Sequence, residues 1–401
     1  MTDVAIPEAL APYAGRMLDV DSHEMLPAQV WREEFGSATD TLAERFKLGP
    51  PNSAGGVNFP DFVKDDVAIS ADTVWNLKGC TAPGAVDIRR RLDVMDYTGV
   101  SRQLMYPSAV TTMAVMMLGA LKDPKFMPGL TDDREGYARE LLAVGNAWLV
   151  KAAKVSDRVR PVPALYGDSL NELMDSAEGF VAAGVRAVNL LANTPPAGRS
   201  PAHSDLDPLW ALLARHDVAV TIHTGSGGDF LRTSVWGDAP AFEGFKVNVE
   251  FDLSPWHLSV AHLAVENYLA TLITGGVFER HPNLRFGAIE LGAYWIGPLA
   301  ARLDLWHDNN QNFGVNATQR LPRRPSDYVA RNVRATPFHF EPVDDYIDKY
   351  GLADVYCYSS DYPHIEGGRS PMHGFAGRLE RLGPDVMEKF FVKNGELLLP
   401  A

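Results

Sequence analysis

The chain has 401 residues, 46% of them hydrophobic, enough to bury a full core and a length that fits one large α/β barrel with insertions or two ordinary domains. A formal charge of −14 and a pI near 5.2 would repel a phosphate backbone or an anionic lipid face, and no run of Lys or Arg forms a compensating basic stripe. Nucleic acid and membrane partners are therefore not expected, and two widely separated cysteines, Cys80 and Cys357, support neither a disulfide framework nor a zinc knuckle.

The N-terminus, MTDVAIPEALAPY, lacks a basic n-region and an apolar h-region, and nowhere do eighteen consecutive residues stay apolar, so a cytoplasmic protein is expected. Short runs rich in β-branched and aromatic residues recur along the chain, separated by stretches with helical periodicity. In order they are Met17–Asp21, Gln103–Tyr106, Arg160–Leu165, Val185–Leu190, Val218–Ile222, Leu284–Glu290, Val333–Thr336 and Val355–Ser359. Helices are predicted between most of them: Glu172–Ala183 ends at Gly184, a natural C-cap, and Pro208–Arg215 precedes the fifth run. Eight strands with helical connections suit a (β/α)8 barrel in a single domain over 1–401; a doubly wound open sheet is the competing architecture. The barrel is favoured because ionisable residues cluster after strands one, five, six and eight, whose ends share one face of a barrel. Two stretches break the repeat, about 24–90 after the first strand and about 224–255 after the fifth, and read as long insertions covering a substrate site.

The first strand runs into LDVDSHEMLP, where Asp21 and His23, two apart on a strand, point to the same side and form a bidentate grip for zinc, manganese or iron, with Glu24 beside them. An isolated DxH is more often an ordinary hydrogen-bonded strand end, so its weight comes from combination. His223 ends the fifth strand in VTIHTGSGGD and Glu290 closes the sixth in GAIELGAYW; a salt bridge to an arginine is the plain alternative for Glu290. The last strand reaches CYSSDYPHIEGG, in which Asp361 is placed to bind metal and take a proton from water, with Pro363 and His364 beside it. His257 and His262 lie five apart in the fifth-strand insertion and do not share a helical face, so at most one points inward; His262 is the one carried forward as a ligand and catalytic candidate. His281 and His307 read as surface residues.

Taken together, LDVDSHEMLP, RLDVMDYTGVSRQLMYPS, DPLWALLARHDVAVTIHTGSG, GVFERHPNLRFGAIELGAYW and YSSDYPHIEGG resemble the amidohydrolase-2 group of the amidohydrolase superfamily, the branch with aminocarboxymuconate-semialdehyde decarboxylase. The resemblance implies a metal-dependent barrel in which Asp21 and His23 stand at the first-strand ligand positions, His223 at the fifth and Asp361 at the eighth. The chain departs at strand six, where many decarboxylases carry a histidine followed by glycines and this one has Glu290. A carboxylate can bridge two cations where a neutral imidazole nitrogen binds one, so one or two divalent ions (Zn, Mn or Fe) are expected, with Asp21, His23, Glu24, His223, His262, Glu290 and Asp361 as the candidate ligand set.

The expected function is a hydrolase or decarboxylase acting on a small carboxylated, cyclic or aromatic compound, with Asp361, Glu290 and His262 as catalytic candidates. Trp75, Phe230, Trp236, Phe242 and Trp256 would provide apolar walls. The alternatives are a non-haem di-metal monooxygenase (di-iron or Mn/Fe) on the same fold and an inactive structural partner of an active homologue. A homodimer is expected by resemblance and by the prevalence of two-fold assemblies, with a hetero-oligomer containing a homologue as the other arrangement.

Overall fold

The computed structural model describes residues 6–47, 59, 61–119, 129–225, 233–237, 239–244, 254–313 and 321–401. Seven of the eight apolar runs become parallel strands: β1 (Met17–Asp19), β2 (Val100–Met105), β3 (Val159–Pro161), β4 (Ala187–Asn189), β5 (Ala219–His223), β6 (Phe286–Ile289) and β7 (Val333–Ala335). Regular pairing orders them as β1-β2-β3 and β4-β5-β6-β7, every pair parallel. The eighth run, 355–359, is joined by single bridges and hydrogen bonds instead of a full ladder. Tyr356 bridges Ala335 of β7, and beyond β1 the Val20 amide donates to the Tyr358 carbonyl at 3.2 Å. Ala164, just past β3, bridges Asn189 of β4.

Helices alternate with these strands because the intervening sequence carries helical stop and start signals. The helix Leu170–Ala182 begins with Ser169, whose hydroxyl accepts from the Glu172 amide, and is followed by Gly184 at φ 82°. The expected helix before the fifth strand forms over Asp207–Arg215 and presents Leu209, Trp210 and Leu213 to the core. Trp210 is fully buried with its indole N–H given to the Pro201 carbonyl, so its large apolar area leaves no polar atom unpaired.

Buried apolar residues fall into two groups. The larger lies between strands and helices and includes Trp31, Trp210, Phe278, Phe286, Phe375 and Phe390. The smaller takes Leu18, Leu104, Val162, Ala187, Ala219, Ile289 and Cys357 from successive parallel segments, with Leu398 and Leu399 of the C-terminus packed among them. This second set is a buried cluster separate from the first. Cys357 belongs to it, and burial pushes its thiol up to about 12, so it is an apolar core residue and not a reactive one.

The stretch 24–90 is not featureless: it contains the helices Trp31–Phe35, Asp40–Lys47 and Ala71–Asn76, and the helix Ile88–Thr98 leads into β2. Much of 224–255 lies outside the described residues, Phe230 among them. Among the described residues no helix is long and apolar enough to cross a membrane.

Candidate metal centre

The five strand-end residues come together where their strands end. β1 stops at Asp19, and after a bend at Val20 the chain forms two isolated bridges. Ser22 bridges Tyr362 and His23 bridges Tyr106, which keeps Asp21 and His23 on one side. The His23 amide donates to the Tyr362 carbonyl at 2.7 Å and the Asp361 amide to the Asp21 carbonyl at 2.9 Å, so the first and eighth segments hold each other's ligand residues in register. Asp21 Oδ1 lies 3.4 Å from both His23 Nε2 and His223 Nε2. Glu290 Oε2 lies 3.1 Å from His223 Nε2 and 3.9 Å from His23 Nε2, and Asp361 Oδ1 is 3.3 Å from His23 Nε2. Glu290 thus meets both histidines.

His223 and Glu290 are also held by partners outside the cluster. The His223 amide donates to Asn189 Oδ1, and its Nδ1 reaches the Thr224 carbonyl at 3.2 Å, which sets the tautomer that turns the Nε2 lone pair toward the carboxylates. The Glu290 amide donates to Thr336 Oγ1 at 2.8 Å, and the turn after it is held by Glu341, whose carboxylate accepts from the Ala293 and Phe338 amides. Glu290 and Asp361 both adopt left-handed backbone, φ 54° and φ 51°, a conformation that costs a non-glycine residue roughly 1–3 kcal/mol and collects at functional sites. The Tyr106 ring lies 4.4 Å from the His223 ring and walls the cluster from below.

Asp21, His23, His223, Glu290 and Asp361 are all buried, His23 to 1% exposure. Burial, reinforced by the nearby His364, lowers the His23 pKa and favours its neutral ring. Burial alone would raise Asp361, but the charge of His364 and the close approach of His23 outweigh it and hold the carboxyl below the usual range. Among the described residues no hydrogen bond reaches Asp21 Oδ1, either ring nitrogen of His23 or either carboxylate oxygen of Asp361. Buried polar atoms are ordinarily satisfied, and leaving several converging carboxylate oxygens without a donor would cost several kcal/mol for each charge. A divalent cation would take one such atom from each of Asp21, His23 and Asp361. The residues therefore fit a metal ion, and their imidazole and carboxylate donors suit Zn, Mn or Fe and not a soft thiolate-seeking ion.

Two expected ligands are not brought into the cluster. Glu24 is buried, but its two oxygens accept the Leu26 and Ser108 amides at 2.8 and 3.0 Å, and it belongs to neither group of residues close enough to share an ion. His262 precedes the helix Leu263–Thr274, with Nδ1 at 2.9 Å from the Tyr294 hydroxyl and Nε2 at 3.3 Å from Glu266, four residues on. His257 is likewise held apart, its Nδ1 at 2.8 Å from Ser254 Oγ. His281 and His307 are not loose surface residues: the first reaches Asp207 and the second the Leu321 carbonyl, each at 3.0 Å. Trp75 is buried and lines a small cavity with Arg91 and Asp19.

One residue joins the cluster that sequence reasoning did not assign. His364 is buried, its ring stacks on that of His23 at 3.8 Å between centroids, and its Nδ1 lies 3.3 Å from Asp361 Oδ1. The only signal was its place three residues after Asp361. Small cavities of about 20 Å³, each room for about one water, flank the cluster. One is lined by His223, Tyr106 and Asn189, the other by Glu290, Asp361 and His339.

Buried histidines and carboxylates at the C-terminal ends of parallel strands define a metal-dependent α/β enzyme. The amidohydrolase family model matches residues 127–400, and the chain belongs to that family. No curated protein matches it. Among solved structures, it is similar to an amidohydrolase from Mycobacterium avium subsp. paratuberculosis at 21% identity and a TM-score of 0.67, over 96% of this chain and 99% of that one. It is also similar to a 5-carboxyvanillate decarboxylase from Novosphingobium aromaticivorans, solved with manganese and 4-hydroxy-3-methoxy-5-nitrobenzoic acid, at 16% identity and a TM-score of 0.60 over the whole of both chains. A third is the 2,6-dihydroxybenzoate decarboxylase from Rhizobium, at 17% identity and a TM-score of 0.56, over 96% of this chain and 98% of that one. At these identities the likeness is one of fold.

Proposed function

We infer that the chain is a metal-dependent decarboxylase or hydrolase of a small aromatic carboxylate, with Asp21, His23, His223, Glu290 and Asp361 as its metal and catalytic residues. The observation that carries this is the set of buried donor atoms on Asp21, His23 and Asp361 that converge without hydrogen bonds. The reading takes the parallel segments to close as a (β/α)8 barrel spanning 1–401, supported by the Val20–Tyr358 hydrogen bond, the Ala164–Asn189 bridge and the second buried cluster. It also takes the protein to be a cytoplasmic homodimer, in keeping with two buried free cysteines and the prevalence of two-fold assemblies.

A metal bound here supplies a Lewis acid for a substrate carboxylate or carbonyl and acidifies bound water. The chain's own residues do the rest. His23, whose pKa burial lowers, presents a neutral ring, and Asp361, ionised at rest and bordering the cavity beside His339, is the proton acceptor. In hydrolysis Asp361 takes the proton of the attacking water. In decarboxylation Asp361 takes the proton of the ring hydroxyl beside the carboxylate when substrate binds and gives it to the ring carbon as the bond to the carboxylate breaks and carbon dioxide leaves, and the product phenolate regains a proton from solvent. Trp236, Phe242 and Trp256 of the fifth-strand insertion are the apolar residues assigned to the substrate's ring.

The test is turnover of 5-carboxyvanillate and 2,6-dihydroxybenzoate under nitrogen, before and after chelation and after return of Mn or Zn. Carbon dioxide release that disappears on chelation, returns with metal and falls at least 100-fold in His223→Ala and Asp361→Ala is expected. Oxygen-dependent turnover, or turnover untouched by chelation, overturns the proposal.

A further inference from the structure

Five of the parallel strands carry an arginine at or just before their start: Arg102 in β2, Arg160 in β3, Arg186 before β4, Arg285 before β6 and Arg334 in β7. These positions lie toward the N-terminal ends of the strands, whereas the metal cluster stands at the C-terminal ends. No stretch of the sequence is basic by itself, because each arginine comes from a different strand.

Their partners differ. Arg334 gives its nitrogens to the Asn394, Ala330 and Val333 carbonyls, Arg285 pairs with Asp217 at 2.5 Å, and Arg158, two residues before Arg160, pairs with Asp96 at 2.7 Å. Arg102 and Arg160 pair with no carboxylate among the described residues. Arg102 gives Nε and Nη2 to the Leu399 carbonyl at 3.3 and 3.1 Å, and Arg160 gives only Nε, to the Asp157 carbonyl at 3.1 Å. Arg160 is 7% exposed, and its Nη1 is buried without a hydrogen-bond partner. Burial and the charges of Arg102, Arg186 and Arg285 push its pKa down to about 10, so the cation lacks a counter-charge.

Arg102, Arg158 and Arg160 line one cavity of about 520 Å³ together with Asp96 and Asp157; Ala401 also borders it and forms no ion pair with these arginines. Arg158 and Asp96 cancel as a pair, which leaves two guanidinium groups against the single carboxylate of Asp157. A guanidinium fork matches oxyanions through parallel N–H bonds. A phosphoryl group brings close to two negative charges at neutral pH and three acceptor oxygens, enough to engage both arginines, whereas a carboxylate brings one charge and two oxygens.

We propose that Arg102 and Arg160 form an oxyanion site toward the N-terminal ends of the strands, one that takes the phosphoryl group of free phosphate or of a small phosphate ester. The proposal is independent of the metal-dependent reading above. The competing arrangement leaves both arginines hydrated, with a purely structural role.

Isothermal titration calorimetry of inorganic phosphate, phenyl phosphate and acetate into metal-loaded and chelator-stripped protein, at constant ionic strength, separates them. One phosphate per chain is expected in both metal states, bound at least tenfold more weakly in Arg160→Gln and in Arg102→Gln. Arg102 is only partly buried, so Arg102→Gln keeps the test decisive if Arg160→Gln does not fold. Tighter binding of phenyl phosphate assigns the site to an ester, and equal or weaker binding to the free ion. No saturable phosphate binding in wild type, binding confined to metal-loaded protein, acetate bound as tightly as phosphate, or wild-type affinity in either folded variant overturns the site.

Discussion

Asp19 sits one layer below the cluster and accepts from the Ser360 amide and hydroxyl at 2.9 and 2.5 Å and from the Asp21 amide at 3.2 Å. Burial outweighs these bonds and pushes its carboxyl up to about 7. With an unfolded value near 3.9, the native state keeps a proton between roughly pH 4 and 7 that the unfolded chain has released, so this residue's contribution falls as pH rises through that window. His23, whose pKa burial lowers, acts in the opposite direction below its ordinary value, so only a paired comparison isolates Asp19. In metal-free protein, Asp19→Asn is expected to remove about 2 kcal/mol of stability loss between pH 5.5 and 7.5, read by urea unfolding at both pH values. An unchanged difference between the two pH values would contradict the assignment. At this scale Asp21, His23, His223, Glu290 and Asp361 were legible because each closes or follows an apolar run. Glu24 was misplaced although period-two alternation already turns it away from Asp21 and His23. His262 was misplaced although Glu266, four residues on, offers it a helical partner. His364 lies past Pro363 in an irregular turn, where no periodicity says which way a side chain points.

The elements place these residues by short, exact contacts. The helix Ile296–Asp308 follows the Glu290 turn directly, and at Gly297 an added Cβ would meet the Tyr350 ring at 2.2 Å. Gly297→Ala is expected to cost roughly 1–3 kcal/mol through overpacking between this helix and Val343–Tyr350, measured as a lowered urea midpoint; an unchanged midpoint would show that the helices part freely. Strand existence and order were legible from composition, but the ladders are shorter than the apolar runs. β4 pairs over three residues where the run has six, and the eighth run pairs only through bridges. The reason is that an apolar run records burial on both faces, whereas the ladder depends on backbone geometry near each strand's end. The stretch 24–90 hid its helices because they are short and capped locally, as Ser70 and Thr73 cap Ala71–Asn76.

Across the whole molecule, stability and the proposed function meet in the same buried cluster. Two separate hydrophobic clusters hold together a centre whose carboxylates and strained turns at Glu290 and Asp361 are unfavourable by themselves. A metal that binds only the folded state would relieve that cost and stabilise the protein by about 2.7 kcal/mol at a hundred times its dissociation constant. The net charge of −14 shapes the outer surface, while the chemistry lies in a site whose local field a bound cation would dominate. The most direct measurement is the thermal midpoint of chelator-stripped protein titrated with Mn(II) or Zn(II), beside His223→Ala and Asp361→Ala. A saturable rise of several degrees in wild type, absent from both variants, is the expected result. A wild-type midpoint indifferent to every divalent metal, or a rise of equal size in both variants, would contradict a metal centre at these residues.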